Sequence, residues 1–312
     1  MPVPRVGFGG ASIGNLHSRV SDEAADATLN AAWDAGLRMY DTAPHYGLGL
    51  SERRMGAFLS TKPRDDYLIS TKVGRVLVPD PDFGGRRDLA NGFDVPADQV
   101  RVFDPSAAGI RRSLESSLTR LGIDRVDVLY LHDPDEYDVD RGLAEGLPAL
   151  AELREEGLVD LVGIGTKSLA TAVRAVREHE LDLVMLAGRY TLLDRGAAVE
   201  LLPLCAERGV GVVAVGVYNS GLLATETPGG TFDYRPAPQE WLARAQRLAE
   251  ICAEFDVALP VAAAQFPLRH SSVIAEIFGM GDPDHLRQSM ARLAVNVPEE
   301  LWRRLSDVEA MP

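Results

Sequence analysis

Apolar residues recur along this chain in two alternating rhythms. One is a short, nearly continuous apolar run, found at Val6 to Phe8, Leu37 to Asp41, Tyr67 to Lys72, Val126 to His132, Val159 to Gly165, Leu181 to Leu186, Val210 to Val215 and Val273 to Phe278. The other is an amphipathic stretch with helical spacing, found at Asp22 to Ala35, Ser106 to Leu121, Arg141 to Glu156, Ser168 to Glu180, Arg195 to Arg208 and Glu240 to Asp256. Runs that are apolar on both faces read as parallel strands covered on each side by helices. The joins agree with that reading. At Gly36, Gly122, Gly157 and Gly209 a helical pattern stops at a glycine and an apolar run starts within about three residues, as expected of a left-handed helix C-cap in a tight loop.

About eight such strand and helix units in one chain predict an α/β fold of the (β/α)8 TIM-barrel type, a single domain over residues 1–312. A doubly wound open sheet is the alternative, disfavoured by the even spacing and the lack of a domain break. From Val73 to Asp104 the rhythm fails: Pro79, Pro81, Gly84, Gly85, Gly92 and Pro96 lie among charges. This segment is expected to be a long surface loop on the rim where the Lys72 strand ends. A second loop is expected over Thr225 to Pro238. The amphipathic segment Pro298 to Val308 predicts a C-terminal helical extension outside the barrel.

Composition narrows the partners. With 46 acidic against 32 basic residues the chain carries a formal charge of −14 and shows no basic face, which argues against nucleic acid and anionic membranes. No apolar run reaches membrane-spanning length and the N-terminus lacks the pattern of a signal peptide, so a cytoplasmic location is expected. Cys205 and Cys252 sit in apolar helical settings without metal-ligand spacing and read as buried small hydrophobes. His132-Asp-Pro-Asp135-Glu136 has metal-ligand residue types but no second histidine, so a solvated acidic loop is expected and no metal.

The chemistry gathers at strand ends. Asp41 closes one run and leads through Thr42-Ala-Pro-His45 to Tyr46 and Gly47; Lys72 closes the next and His132 a third. In a parallel barrel these ends share one rim, so a carboxylate, a phenol, an amine and an imidazole converge on one pocket. A phenol is a poor acid or base at neutral pH because its ordinary pKa is near 10. A lysine ammonium beside it stabilises the phenolate, and a carboxylate holds the lysine charged and oriented. Tyr46, Lys72 and Asp41 therefore form a candidate proton relay, with His132 placed to fix a substrate oxygen and His45 a candidate substrate contact. The set suits proton transfer at a carbonyl or carbinol coupled to hydride transfer.

Asp41 and Tyr46 in Asp-Thr-Ala-Pro-His-Tyr-Gly, Lys72 in Ser-Thr-Lys and His132 in Leu-Tyr-Leu-His resemble the catalytic tetrad of the aldo-keto reductase superfamily, and the similarity runs nearly end to end. Gly7-Phe-Gly-Gly-Ala-Ser-Ile-Gly-Asn15, Leu131-His-Asp-Pro-Asp135, Gly188-Arg-Tyr-Thr-Leu-Leu193, Tyr218-Asn-Ser-Gly-Leu-Leu223 and Ala263-Ala-Gln-Phe-Pro-Leu268 resemble the branch of L-fucose, D-threo-aldose and pyridoxal dehydrogenases. That resemblance implies NAD(P)-linked oxidation of a sugar hemiacetal to a lactone, or the reverse aldehyde reduction. Tyr46 would be the general acid/base, and Tyr46, His132 and His45 would contact the substrate. It further implies cofactor contacts at Gly9, Gly10, Asp41, Asn219, Ser220, Gly221, Gly279, Gly281 and Asp282. Two departures bear on the cofactor. Gly163-Ile-Gly-Thr-Lys167 and Leu186-Ala-Gly-Arg189 lack the amide side chains that grip the nicotinamide in the family, and Phe278-Gly-Met-Gly-Asp282 lacks its NADP-binding arginine. Asp282 would repel the extra phosphate, so NAD is favoured over NADP. The missing amides leave a lyase, dehydratase or epimerase using the same relay without hydride transfer as the alternative.

Overall fold

The computed structural model describes residues 2–233 and 235–310. Its core is a closed, all-parallel barrel of eight strands, in the order β1 (Val6–Gly9), β12 (Val273–Gly279), β9 (Gly211–Val215), β8 (Leu183–Ala187), β7 (Val159–Thr166), β6 (Val126–His132), β3 (Leu68–Val73) and β2 (Met39–Asp41). The strands are buried on both faces, inside against one another and outside against helices that include α1 (Asp22–Asp34), α2 (Leu50–Leu59), α3 (Ala107–Leu121), α5 (Leu147–Glu155), α6 (Leu169–Glu178), α7 (Leu201–Arg208), α9 (Leu259–Gln265) and α10 (Pro283–Ala294), and the chain also forms α4 (Val139–Arg141) and α8 (Gln239–Ala253). A last helix, α11 (Glu299–Ser306), packs Leu301, Trp302 and Leu305 against the cluster that includes Leu248 and Ile251 of α8.

Inside the barrel Met39, Val128, Tyr130, Leu183, Met185, Val213, Ala275 and Ile277 form a separate cluster that plugs the lumen. Gly163 makes room for it: a Cβ there would stand 2.2 Å from the Leu183 carbonyl oxygen and 3.2 Å from the Tyr130 ring. The four glycine joins have the backbone their sequence context predicts, with φ of +86° at Gly36, +69° at Gly122, +77° at Gly157 and +70° at Gly209. Nothing lies within 4 Å of a Cβ at any of the four, so it is the left-handed turn and not crowding that calls for glycine. On the outer face of β12, Glu276 is fully buried with neither carboxylate oxygen hydrogen-bonded, and burial pushes its carboxyl well above the usual range.

The segment from Val73 to Asp104 is not a structureless loop. It contains an antiparallel hairpin, β4 (Arg75–Pro79) paired with β5 (Gln99–Phe103), which rises from the rim directly after β3. Gly74, at φ +100°, turns the chain out of the barrel, and Asp104 N donates to the Gly74 carbonyl at 3.0 Å to close the excursion. Each strand is only five residues long, and the Pro- and Gly-rich connection between them masks the alternation. Another short pairing, β10 (Thr231–Phe232) with β11 (Arg235–Pro236), lies in the segment expected to be a loop over Thr225 to Pro238.

Candidate active site

The rim formed by the C-terminal ends of β2, β3 and β6 brings Asp41, Lys72 and His132 together, as their strand-end positions require. Asp41 and Lys72 are 3% and 2% exposed, and Lys72 Nζ donates to Asp41 Oδ2 at 2.7 Å and to the Thr42 carbonyl at 2.9 Å. The other carboxylate oxygen, Oδ1, accepts from Ser70 Oγ at 2.7 Å. Burial opposes the charge on Lys72, but Asp41 and then Tyr46 outweigh it, and the ammonium is held more firmly protonated than usual. Lys72 Nζ lies 4.8 Å from the centre of the Tyr46 ring.

Backbone crowding sets the position of Tyr46. A Cβ on Gly47, which has φ +62°, would fall 2.2 Å from the Gly14 carbonyl oxygen, and one on Gly14 would meet Tyr46 backbone at 2.9 Å. Only two glycines let the loop after β1 and the loop carrying the phenol interlock this closely. Leu48, Phe93 and Val95, with Leu77 of β4, pack beneath the same loop. The relay does not make Tyr46 acidic by itself. Burial pushes its hydroxyl up to about 12, with Lys72 pulling it down and Asp41 opposing that pull, so the phenol is protonated at neutral pH.

Both histidines are neutral. Burial, then the charges of Arg75 and Lys72, hold His132 well below its ordinary pKa, and burial with Arg75, Arg101 and Lys72 takes His45 down to about 2. His132 stands edge-on to Tyr46 at 6.2 Å and to His45 at 5.7 Å between ring centres. Its Nε2 lies 3.3 Å from Asp133 Oδ2.

The hairpin contributes residues that pattern reasoning passed over. Arg75 Nη2 donates to Asp133 Oδ2 at 2.6 Å and to Glu136 Oε2 at 3.1 Å, and its Nη1 lies 3.3 Å from His45 Nδ1. Arg101 pairs with Asp88 and donates to the His45 carbonyl at 2.8 Å. The loop after His132 is therefore not a solvated acidic stretch. Asp133 and Glu136 hold Arg75, Asp135 accepts from Thr166 Oγ1 at 2.5 Å, and Glu136 Oε1 lies 3.2 Å from Lys167 Nζ. The alternation Arg75-Val-Leu-Val78 facing Val100-Arg-Val-Phe103 was the available signal for all of this.

The residues suggested for a cofactor divide by environment. Gly9 and Gly10 are buried packing positions: a Cβ on Gly9 would stand 3.0 Å from the Phe278 carbonyl oxygen and one on Gly10 2.6 Å from Ser51 Oγ. Gly279 and Gly281, by contrast, border open space, with Ser12 the nearest neighbour at 4.0 Å and 3.6 Å. Asn219, Ser220 and Gly221 form a turn with φ of +47°, +58° and +99°; the Asn219 side chain is held by Thr191 Oγ1 at 2.7 Å and the Gly188 carbonyl at 3.1 Å. Asp282 caps α10, its Oδ1 accepting from Asp284 N and His285 N at 2.9 Å each. No group of three or more metal-ligating side chains occurs among the described residues, and no helix there is long and apolar enough to cross a membrane.

Comparison with known proteins gives a consistent result. The sequence signature described as the Aldo/keto reductase family matches residues 5–310. The chain is 49% identical to a D-threo-aldose 1-dehydrogenase of Pseudomonas sp, over 100% of this chain and 96% of that one. It is 39% identical to a pyridoxal 4-dehydrogenase of Microbacterium luteolum, over 98% and 94%. Among solved structures, a glycerol dehydrogenase from Gluconobacter oxydans superposes with a TM-score of 0.75 at 22% identity, covering 99% of this chain and 92% of that one, and shares the fold.

Proposed function

The chain belongs to the aldo/keto reductase family and is an oxidoreductase, and on that premise we propose that it oxidises the hemiacetal carbon of an aldose with a nicotinamide cofactor, or reduces the matching aldehyde. The observation that carries this reading is the buried chain of contacts from Ser70 through Asp41 to Lys72 beside Tyr46, with a neutral His132 edge-on to the same phenol. The name of the 49%-identical relative supports an aldose substrate.

The rim between β1 and β12 fits a nicotinamide dinucleotide, because the open space over Gly279 and Gly281 leaves backbone exposed to a flat or anionic group. Gly279 and Gly281 would line that cradle, with Ser220 and Gly221 and the Asn219 backbone as further contacts; Gly9, Gly10 and Asp41, expected among the cofactor contacts, are instead buried against protein atoms and would act only from behind it. The Asp282 carboxylate already satisfies the first N–H groups of α10 and disfavours an additional phosphate there, so NAD is preferred over NADP. Bound there, the nicotinamide supplies the hydride acceptor or donor.

The protein's own groups move the proton. In the reducing direction the protonated Tyr46 donates to the carbonyl oxygen, which His132 orients as a neutral hydrogen-bond donor. In the oxidising direction the acceptor is the phenolate form of Tyr46, which the Lys72 ammonium, fixed by Asp41, stabilises; it takes the hydroxyl proton and returns to the phenol, so oxidation is favoured as pH rises. Tyr46→Phe should lower turnover by about 10²- to 10⁴-fold while NADH affinity changes little; full turnover in that variant would refute the role.

One observation favours a second reading. Thr166 and Lys167 at the end of β7, and Ala187 and Gly188 at the end of β8, carry no carboxamide, and both polar atoms of the Asn219 side chain are already engaged. A lyase, dehydratase or epimerase would need the relay alone. Turnover of an aldose without any nicotinamide would establish that reading, and strict dependence on NAD or NADP would eliminate it.

A further inference from the structure

We propose that Asp133, held in place by Arg75, binds the substrate hydroxyl on the carbon next to the reacting carbon, and so makes the enzyme selective for vicinal diols over simple aldehydes and 2-deoxy sugars. This rests on the aldose reading of the same site and adds to it the group that does the selecting.

Two observations converge on Asp133. First, its backbone lies in the left-handed region, at φ +41°, directly after the last residue of β6. A residue with a side chain is strained there, and surrounding structure must hold it. What the strained turn achieves is to bring the carboxylate back to 3.3 Å from His132 Nε2. The two oxygens of a vicinal diol are about one hydrogen-bond length apart, so an oxygen held by His132 puts its neighbour within reach of Asp133 Oδ2. Second, the carboxylate cannot swing away, because the Arg75 guanidinium, 3% exposed, grips it at 2.6 Å and is itself anchored to Glu136 and packed over Tyr137 at 5.3 Å.

The charge arithmetic of this wall selects the class of ligand. Lys72 is matched by Asp41, Arg75 by Asp133 and Glu136, and Arg101 by Asp88. The wall therefore presents rigid donors and acceptors without an uncompensated positive charge, which suits a neutral polyol better than a carboxylate or phosphate ester. Burial pushes the Asp133 carboxyl up to about 6, with Arg75 and Lys72 pulling down and Glu136 and Asp135 pushing up. At neutral pH it is thus largely the ionised acceptor that a hydroxyl donates to.

The test compares kcat/KM for L-fucose against 2-deoxy-L-fucose, and for D-galactose against 2-deoxy-D-galactose, in the wild type, Asp133→Ala and the isosteric Asp133→Asn. The wild type should prefer the 2-hydroxy sugar of at least one pair by roughly 10- to 100-fold, the range expected for one hydrogen bond to a charged group. In Asp133→Ala that ratio should collapse toward one, with the loss falling chiefly on the 2-hydroxy sugar; Asp133→Asn, which keeps an acceptor oxygen, should fall between. A wild type indifferent to the 2-hydroxyl overturns the proposal. So does an equal loss on both sugars of a pair, which would make Asp133 only a support for His132. If no sugar is turned over with NAD or NADP, the aldose oxidation reading fails on its own, and calorimetric binding of the same pairs to the same variants decides the Asp133 question separately.

Discussion

Asp41 and Lys72 make a prediction that separates structural from catalytic worth. Asp41→Asn removes the charge that compensates an ammonium only 2% exposed, leaving Lys72 with the Thr42 carbonyl and the Tyr46 side chain as its polar neighbours. Breaking a buried pair on one side costs about 3–5 kcal/mol, because the remaining charge stays desolvated. With a urea m-value of about 3 kcal/mol/M, the midpoint should fall by roughly 1–2 M. Lys72→Met strands the Asp41 carboxylate, 3% exposed, in the same way, with only the Ser70 hydrogen bond at 2.7 Å left to it, and should cost a similar amount. The double variant should recover most of what Asp41→Asn loses, giving a coupling of about 2 kcal/mol or more in a double-mutant cycle. Turnover should behave in the opposite way. All three variants lack a correctly held ammonium beside Tyr46, and their kcat should fall by about 10²-fold or more without recovery in the double variant. Urea unfolding and steady-state kinetics on the same four proteins test this. Additive stability losses, or recovery of turnover in the double variant, would refute the reasoning.

Two further expectations concern the scaffold. Glu276 binds a proton in the folded state at pH values where the unfolded chain, with a carboxyl near 4.3, has released it; its contribution is therefore fully present below about pH 4 and declines as pH rises. Glu276→Gln removes that decline, so its stability advantage over the wild type should widen between pH 5 and pH 8, by up to about 1.4 kcal/mol per pH unit. Urea unfolding across that range checks it, and a gap independent of pH would show that the carboxylate has a partner in solution. Gly122→Ala, left-handed but with open space around a Cβ, should cost about 1 kcal/mol. Gly163→Ala, 2.2 Å from the Leu183 carbonyl oxygen, should cost about 2 kcal/mol or more because two barrel strands must part; the reverse order in thermal unfolding would contradict this account.

The barrel was legible because its grammar is local. Gly36, Gly122, Gly157 and Gly209 mark left-handed caps that the backbone adopts, and Asp41, Lys72 and His132 meet because parallel strands end on one rim. What sequence could not reveal depends on tertiary placement. The two five-residue strands of the Arg75–Phe103 hairpin carry their alternation over too few positions to stand out against Pro79, Gly84, Gly85 and Pro96. Asp133 reads as one acid among several until its φ of +41° aims it at His132. The balance at Tyr46 was also out of reach, since a lysine beside a phenol suggests a lowered pKa while burial reverses the outcome.

The hairpin leaves the barrel at Gly74 and returns at Asp104, and the 3.0 Å hydrogen bond between them closes the excursion like a clasp. Arg75, Phe93 and Arg101 reach the candidate polyol wall in that one cassette, whereas Asp41, Lys72 and His132 belong to strands that hold the fold together and Asp133 to the turn directly after one. Part of the recognising wall is therefore heritable apart from the chemistry. Exchange of residues 75–103 between related barrels would remodel the wall that steadies Asp133 without disturbing the proton relay, a route by which one catalytic frame could be handed from substrate to substrate.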